Sequence, residues 1–207
     1  MSKSIIKIEL IDKRFVIEAK EIMKKFYWIV DGVRIITLMK RKKEGGPTKT
    51  DRAAKKYISI DESQFLLTLS NALNDWTPEY RIYCTVNPRN MDKGIRNFKQ
   101  MQLDNEYQNQ ENKYNFYVDI WNRLISALQR PNTRDSTLFL IDIDDDEVLI
   151  ESGVIARLNK FKIKILDEYR TKNGWHIITE PFQYPKLIPE LKKWDNVKVD
   201  GMALLKY

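Results

Sequence analysis

Between Thr137 and Tyr207 the hydrophobic pattern changes period repeatedly, and the order of the resulting elements leaves few folds open. The apolar run from Thr137 to Asp144 reads as a buried strand over 137–143 ending in two carboxylates. Side chains two apart on a strand share a face, so Asp142 and Asp144 point the same way. From Glu147 to Asn159, Val148, Leu149, Ile150, Val154, Ile155 and Leu158 recur at helical spacing, and Gly153 weakens that helix by about 1 kcal/mol. Lys162 to Leu166 alternates as a half-buried strand, Lys172-Asn173-Gly174 is a turn signal, and Trp175 to Thr179 is a second strand, so 162–179 predicts a hairpin. A short helix follows over Pro185 to Lys193, with Leu187, Ile188 and Leu191 apolar. A β-rich segment from Val197 to Tyr207 turns at Gly201. Strand, helix, strand, strand, helix, strand is the split βαβ, or ferredoxin-like, order.

That order brings a small set of reactive side chains toward one sheet. Asp142 and Asp144 can share one divalent cation, and hard Mg²⁺ or Mn²⁺ prefers such oxygen ligands. His176 is the chain's one histidine and follows a glycine turn. Each feature also has a plainer reading. An acidic stretch after a strand is often a solvated turn whose charges favour the next helix N-terminus. A lone histidine is more often structural than functional, and Asp200-Gly201 is a hairpin signal as well as a ligand candidate.

In sequence and spacing, Leu140 to Asp144, Gly174-Trp175-His176 and Val199-Asp200 resemble three motifs of the archaeo-eukaryotic primase superfamily, the primase-polymerases: an apolar strand ending in DxD, a small-x-His element, and a later strand with an apolar residue before an acid. The resemblance covers roughly 137–207, as a minimal catalytic core. Upstream, Tyr83 to Arg89 is similar to the strand-then-NPR element of several such proteins. The resemblance implies an RRM-like catalytic module in which Asp142, Asp144 and Asp200 bind Mg²⁺ or Mn²⁺ and His176 contacts the phosphates of the incoming nucleoside triphosphate. Beside it, Lys172, Asn173 and Gly174 would offer a cation and backbone N–H groups. It further implies a DNA template and a helper such as a replicative helicase or another replication protein.

Composition sets the outer limits. One cysteine, Cys84, excludes an intramolecular disulfide and any cysteine-based zinc site, so the zinc element of many primases is not expected, and one histidine excludes metal sites built on HExxH. The expectation is an intracellular, cytoplasmic protein without membrane partners, because no apolar run is long enough to span a bilayer and Met1 to Leu10 lacks a signal-peptide core. Charge is uneven. Residues 1–100 hold 21 Lys and Arg against 12 Asp and Glu, whereas 101–207 hold 15 against 17. A basic half joined to an acidic-site half suits phosphate-backbone binding by one part and metal binding by the other, although lysine-rich composition also arises without any binding role. The densest cluster, from Lys40 to Lys56 with Lys40, Arg41, Lys42 and Lys43 at its head, reads as a loop that orders on nucleic acid or is simply solvated.

The remaining pattern predicts a helix over Glu18 to Trp28, a strand over Val33 to Met39, a helix over 61–74, a strand over Arg81 to Val86, a polar exposed helix or mobile segment over Gln100 to Asn115, and a helix over Tyr114 to Leu128. In the last of these, Tyr117, Ile120, Trp121, Leu124, Ile125 and Leu128 form an apolar face expected in the core. Arg89 and Lys93 are candidates for contact with template or nucleotide, with helix capping the competing role. The expected fold is α+β: an RRM/ferredoxin-like catalytic module over 131–207 packed on a basic N-terminal α/β module over 1–130. The expected function is DNA-templated, metal-dependent nucleotidyl transfer of the primase-polymerase kind, in a small stand-alone protein of the sort a virus or plasmid encodes. A catalytically inactive relative that binds nucleic acid or a partner protein is the alternative. A haloacid-dehalogenase-like phosphatase is a lesser one, since Ile141 to Asp146 approaches its DxDx(T/V) motif but has Asp146 where Thr or Val belongs.

Overall fold

The computed structural model describes residues 12–29, 32–40, 52–108, 114–143, 153–172, 174–188 and 197–207. Seven α-helices and two four-stranded antiparallel sheets occur among them, a mixed α+β chain. The chain falls into two compact units, residues 1–83 with 205–207 and residues 84–204. The boundary expected near residue 130 lies inside the second unit. No described helix is long and apolar enough to cross a membrane.

In the first unit, α1 (Lys13–Lys25) starts five residues before the predicted Glu18, because Asp12 accepts a hydrogen bond from the Arg14 N–H at 2.9 Å and caps it. It packs against α2 (Glu62–Asn74). The strands β1 (Arg34–Lys40) and β2 (Arg52–Ser59) pair antiparallel, with a register shift between Leu38 and Met39. Within the loop expected over 40–56, residues 52–56 belong instead to β2, whose cross-strand partners lie on β1, and residues 41–51 lie outside the described residues.

The second unit carries β3's end (β3, Tyr80–Thr85), then α3 (Met91–Gln108), α4 (Asn115–Val118) and α5 (Ile120–Leu128). The helix predicted over Tyr114 to Leu128 is broken at Asp119, whose φ of −118° and ψ of 36° leave the helical region. Ile125 and Leu128 are buried, but Tyr117, Ile120 and Trp121 are 42, 46 and 51% exposed, so half of the expected core face is surface.

Next come β4 (Phe139–Ile143), α6 (Val154–Lys160), β5 (Ile165–Arg170), β6 (Trp175–Thr179), α7 (Tyr184–Leu187), β7 (Val197–Lys198) and β8 (Met202–Lys206). The two sheets have the orders β2-β1-β3-β8 and β5-β6-β4-β7. Alternation along β4 sends Phe139, Ile141 and Ile143 into a core with Val154 and Leu158 of α6, Ile177 of β6, Ile188 and Val197. Gly153 sits at the α6 start with φ of +54°, a left-handed conformation that glycine adopts without a Cβ penalty.

The capping of α2 generates a stability test. Asp61 accepts from the Gln64 N–H at 2.8 Å and from the Ser63 hydroxyl at 2.7 Å, and these donors, the backbone one first, hold its carboxyl below the usual carboxylate range. The cap contribution is therefore complete above the unfolded pKa and is lost as pH falls through the lowered folded value. Asp61→Ala is expected to cost about 1 kcal/mol in urea unfolding at neutral pH, with the difference from wild type shrinking in acid.

Candidate functional site

The face of the β5-β6-β4-β7 sheet opposite the apolar core carries a polar row. On β4 Asp142 lies directly across from His176 of β6, and His176 lies directly across from Tyr169 of β5. Paired positions on antiparallel strands point to the same face, so three side chains from three adjacent strands meet. Asp142 Oδ1 stands 3.2 Å from His176 Nε2, and the Tyr169 hydroxyl stands 3.0 Å from His176 Nδ1. The Tyr169 and His176 rings also touch edge to face, with centroids 5.3 Å apart. Burial is graded along the row: the Tyr169 and His176 residues are each 6% exposed, whereas the Asp142 side chain is 37% exposed. Asp142 is thus the end of the row that reaches solvent.

Electrostatics keep the tyrosine end of this row protonated. Burial, followed by electrostatic interactions with Asp167, Cys84 and Asp142, pushes the Tyr169 hydroxyl above its usual pKa, and a backbone hydrogen bond from Leu204 opposes the shift. Tyr169 therefore keeps its proton at neutral pH. An ionised carboxylate only accepts hydrogen bonds, so the contact to Asp142 requires a proton on Nε2 of His176. In the neutral ring Nδ1 is then an acceptor, and the Tyr169 O–H donates to it.

A second polar cluster sits at the other end of β4. Asn87, wholly buried, donates from Nδ2 to the carbonyls of Leu138 (3.1 Å) and Val199 (2.9 Å), and its Oδ1 accepts from the Leu138 N–H (2.6 Å) and the Ser136 hydroxyl (3.3 Å). Two residues on, Arg89 donates from both terminal nitrogens to Asp200, at 3.0 and 2.6 Å. The Arg89 side chain is 3% exposed and that of Asp200 26%, and Arg89 Nε is buried without a hydrogen-bond partner. Asn90 closes the cluster by accepting from the Lys93 N–H at the start of α3 and donating to Asp135. Gly201 is required by close approach: a Cβ there would lie 2.7 Å from Leu140 Cδ2 and 2.9 Å from Leu140 Cβ.

The two clusters lie far apart. Leu140 pairs with Lys198 and Ile141 with Val197, so the chain after β7 runs toward Leu138 and away from Asp142. Asn87, bonded to both Leu138 and Val199, reports the same register. Asp200 is therefore level with the Leu138 end of β4, four residues and about 13 Å from Asp142. Of the three carboxylates expected to converge, Asp200 is bonded to Arg89 and Asp144 lies outside the described residues. Among the described residues no group of three His, Cys, Asp or Glu side chains is close enough to hold a metal ion. The Asp142 carboxylate, 37% exposed, is an oxygen donor of the kind Mg²⁺ or Mn²⁺ takes.

The other candidates are scattered. His176, expected at a nucleotide phosphate, has both ring nitrogens engaged inside the protein. Lys172 is exposed on the turn between β5 and β6, Gly174 is buried with its carbonyl bonded to the Thr171 N–H at 2.8 Å, and Asn173 lies outside the described residues. Lys93 is exposed, while Arg89 is enclosed by its ion pair. Lys40, at the end of β1, is ion-paired with Glu79, which raises its pKa; Arg41, Lys42 and Lys43 lie outside the described residues. Sequence reading missed Tyr169, although the hairpin contains the signal: counting outward from the 171–174 turn puts 169 opposite 176. Comparison of the chain with protein-family models, with curated proteins and with solved structures finds no match.

The Arg89–Asp200 pair generates an asymmetric prediction. Asp200→Ala leaves a guanidinium charge buried without its partner and is expected to cost about 3 kcal/mol. Arg89→Met leaves a carboxylate that solvent already reaches and is expected to cost less, with the double variant recovering part of the Asp200→Ala loss. Urea unfolding of the three variants measures the order.

Proposed function

We propose that this chain is a metal-dependent nucleotidyltransferase of the primase-polymerase type, joining nucleoside triphosphates on a DNA template with Mg²⁺ or Mn²⁺. The observation that carries this reading is the direct cross-strand pairing of Asp142 with His176 on the two central strands of a four-stranded antiparallel sheet. The element order β4, α6, β5, β6, α7, β7 and the strand order β5-β6-β4-β7 support the ferredoxin-like, RRM-type module in which the resemblance would put those two motifs.

Asp142, with Asp144 two residues further on, would hold the cation, which when bound neutralises triphosphate charge and lowers the pKa of an attacking hydroxyl. His176 donates its Nε2–H to Asp142 and holds that carboxylate in one orientation, a different task from the phosphate contact that the resemblance implies. The alternative, a catalytically quiet relative that binds nucleic acid or a partner protein, is favoured by one observation: Asp200 is committed to Arg89 rather than to Asp142.

Template-dependent incorporation of labelled nucleotide by the full chain tests the proposal. Asp142→Asn is expected to lower the rate at least about 100-fold, the several kcal/mol that a catalytic cation supplies, while binding to a single-stranded oligonucleotide persists. Wild-type protein inert with every template, nucleotide and metal combination would leave the binding module, and hydrolysis of small phosphomonoesters instead would indicate a phosphatase.

The basic cluster is tested separately. Replacing Arg41, Lys42 and Lys43 by Gln is expected to reduce the slope of log K against log salt by up to about 2 on single-stranded DNA, roughly 0.7 per phosphate contact. Lys40→Gln alone is expected to leave the slope near wild type, because Lys40 already has Glu79 as its counter-ion. Fluorescence anisotropy at several salt concentrations distinguishes the two.

A further inference from the structure

We propose that Tyr169 is a positioning residue for this site, fixing His176 in the Nε2–H form so that the imidazole holds the Asp142 carboxylate. The inference rests on the nucleotidyltransferase reading for its purpose, but its structural content stands on the row of side chains alone. Tyr169 is 6% exposed, its hydroxyl is 3.0 Å from Nδ1, and its ring edge packs on the imidazole. Leu204 donates a backbone hydrogen bond to the same hydroxyl. With that donor on its oxygen, the tyrosine hydroxyl can give its own proton to the ring nitrogen within hydrogen-bond distance.

The consequence follows from the inventory of donors. A neutral imidazole has one N–H, and the two ring nitrogens here face a donor and an acceptor respectively. With the Tyr169 O–H on Nδ1, the proton belongs on Nε2, where it meets Asp142 at 3.2 Å. The Asp142 carboxylate already favours Nε2–H; removing the Tyr169 O–H takes away the second preference and raises the share of the Nδ1–H form, which turns the Nε2 lone pair toward the Asp142 oxygen. That contact is repulsive, so the carboxylate loses its fixed orientation. Groups that orient a metal-binding carboxylate from outside the ligand shell influence metal affinity about 10- to 100-fold.

The chain's single histidine makes the test direct, since ¹⁵N-histidine labelling yields one pair of ring-nitrogen signals. In the metal-free full chain at neutral pH, the wild-type spectrum is expected to show a protonated Nε2 and a hydrogen-bonded, unprotonated Nδ1. Tyr169→Phe keeps the ring contact and removes only the hydroxyl, and its two signals are expected to move toward an average of the two tautomers. A purely packing role for Tyr169 predicts unchanged signals and would overturn the proposal, as would a wild-type spectrum with the proton on Nδ1, which decides the matter even if the variant does not fold. Manganese titration followed by electron paramagnetic resonance is expected to show about tenfold weaker Mn²⁺ binding in Tyr169→Phe. Mn²⁺ affinity equal to wild type would also overturn the positioning role. Wild-type protein that binds no Mn²⁺ while the tautomer still shifts in Tyr169→Phe would remove the nucleotidyltransferase reading and support the Tyr169 assignment.

Discussion

A buried side-chain amide, that of Asn87, sets the frame in which the candidate site is built. It bonds both the N–H and the carbonyl of Leu138 and also the carbonyl of Val199, taking the place a further strand residue would occupy between the start of β4 and the end of β7. A polar group with no exposure is stabilising only when its hydrogen bonds are made, so this geometry tolerates little displacement of either segment. Fixing the start of β4 fixes its register, and the register decides which face Asp142 occupies.

The same strand serves two environments because its side chains alternate. Phe139, Ile141 and Ile143 are held in the core with α6, Ile177 and Val197, and Asp142 is thereby committed to the opposite face beside His176. A slip by one residue would exchange the two sets, burying the carboxylate among aliphatic side chains and setting three apolar ones beside His176 and Tyr169. The polar row is therefore a product of core packing as much as of its own hydrogen bonds. Gly201 adds a steric limit, since any side chain there would collide with Leu140 in the middle of the strand.

What was legible in the sequence was local. The apolar run into Asp142, the Lys172 to Gly174 turn and the Trp175 strand follow from periodicity and turn chemistry, and they place Asp142 and His176 on neighbouring strands. Helix α2 was legible for the same reason. The rest depends on pairings distant in sequence. Arg89 meets Asp200 across 111 positions, and nothing near either residue announces the other. The strand β2 was hidden because its lysines and alanines carry no strong period and its partner is another strand. Tyr117 and Trp121 are exposed on either side of the break at Asp119, a backbone conformation that no apolar spacing reveals.

The Arg89–Asp200 pair also bears on how many carboxylates the site uses. Moving Asp200 to a cation at Asp142 would carry it about 13 Å along β4 and leave the Arg89 guanidinium, 3% exposed, without its counter-charge. Breaking a buried pair from one side costs about 3–5 kcal/mol, and the turn at Val199 would also surrender its bonds to Asn87 and Arg134. Asp142 needs no such rearrangement. It is half-open, oriented by an imidazole, and backed by a tyrosine that is itself held by the Leu204 backbone. The physical balance favours a site centred on the end of β4, with Asp200 as the counter-charge that keeps Arg89 in place.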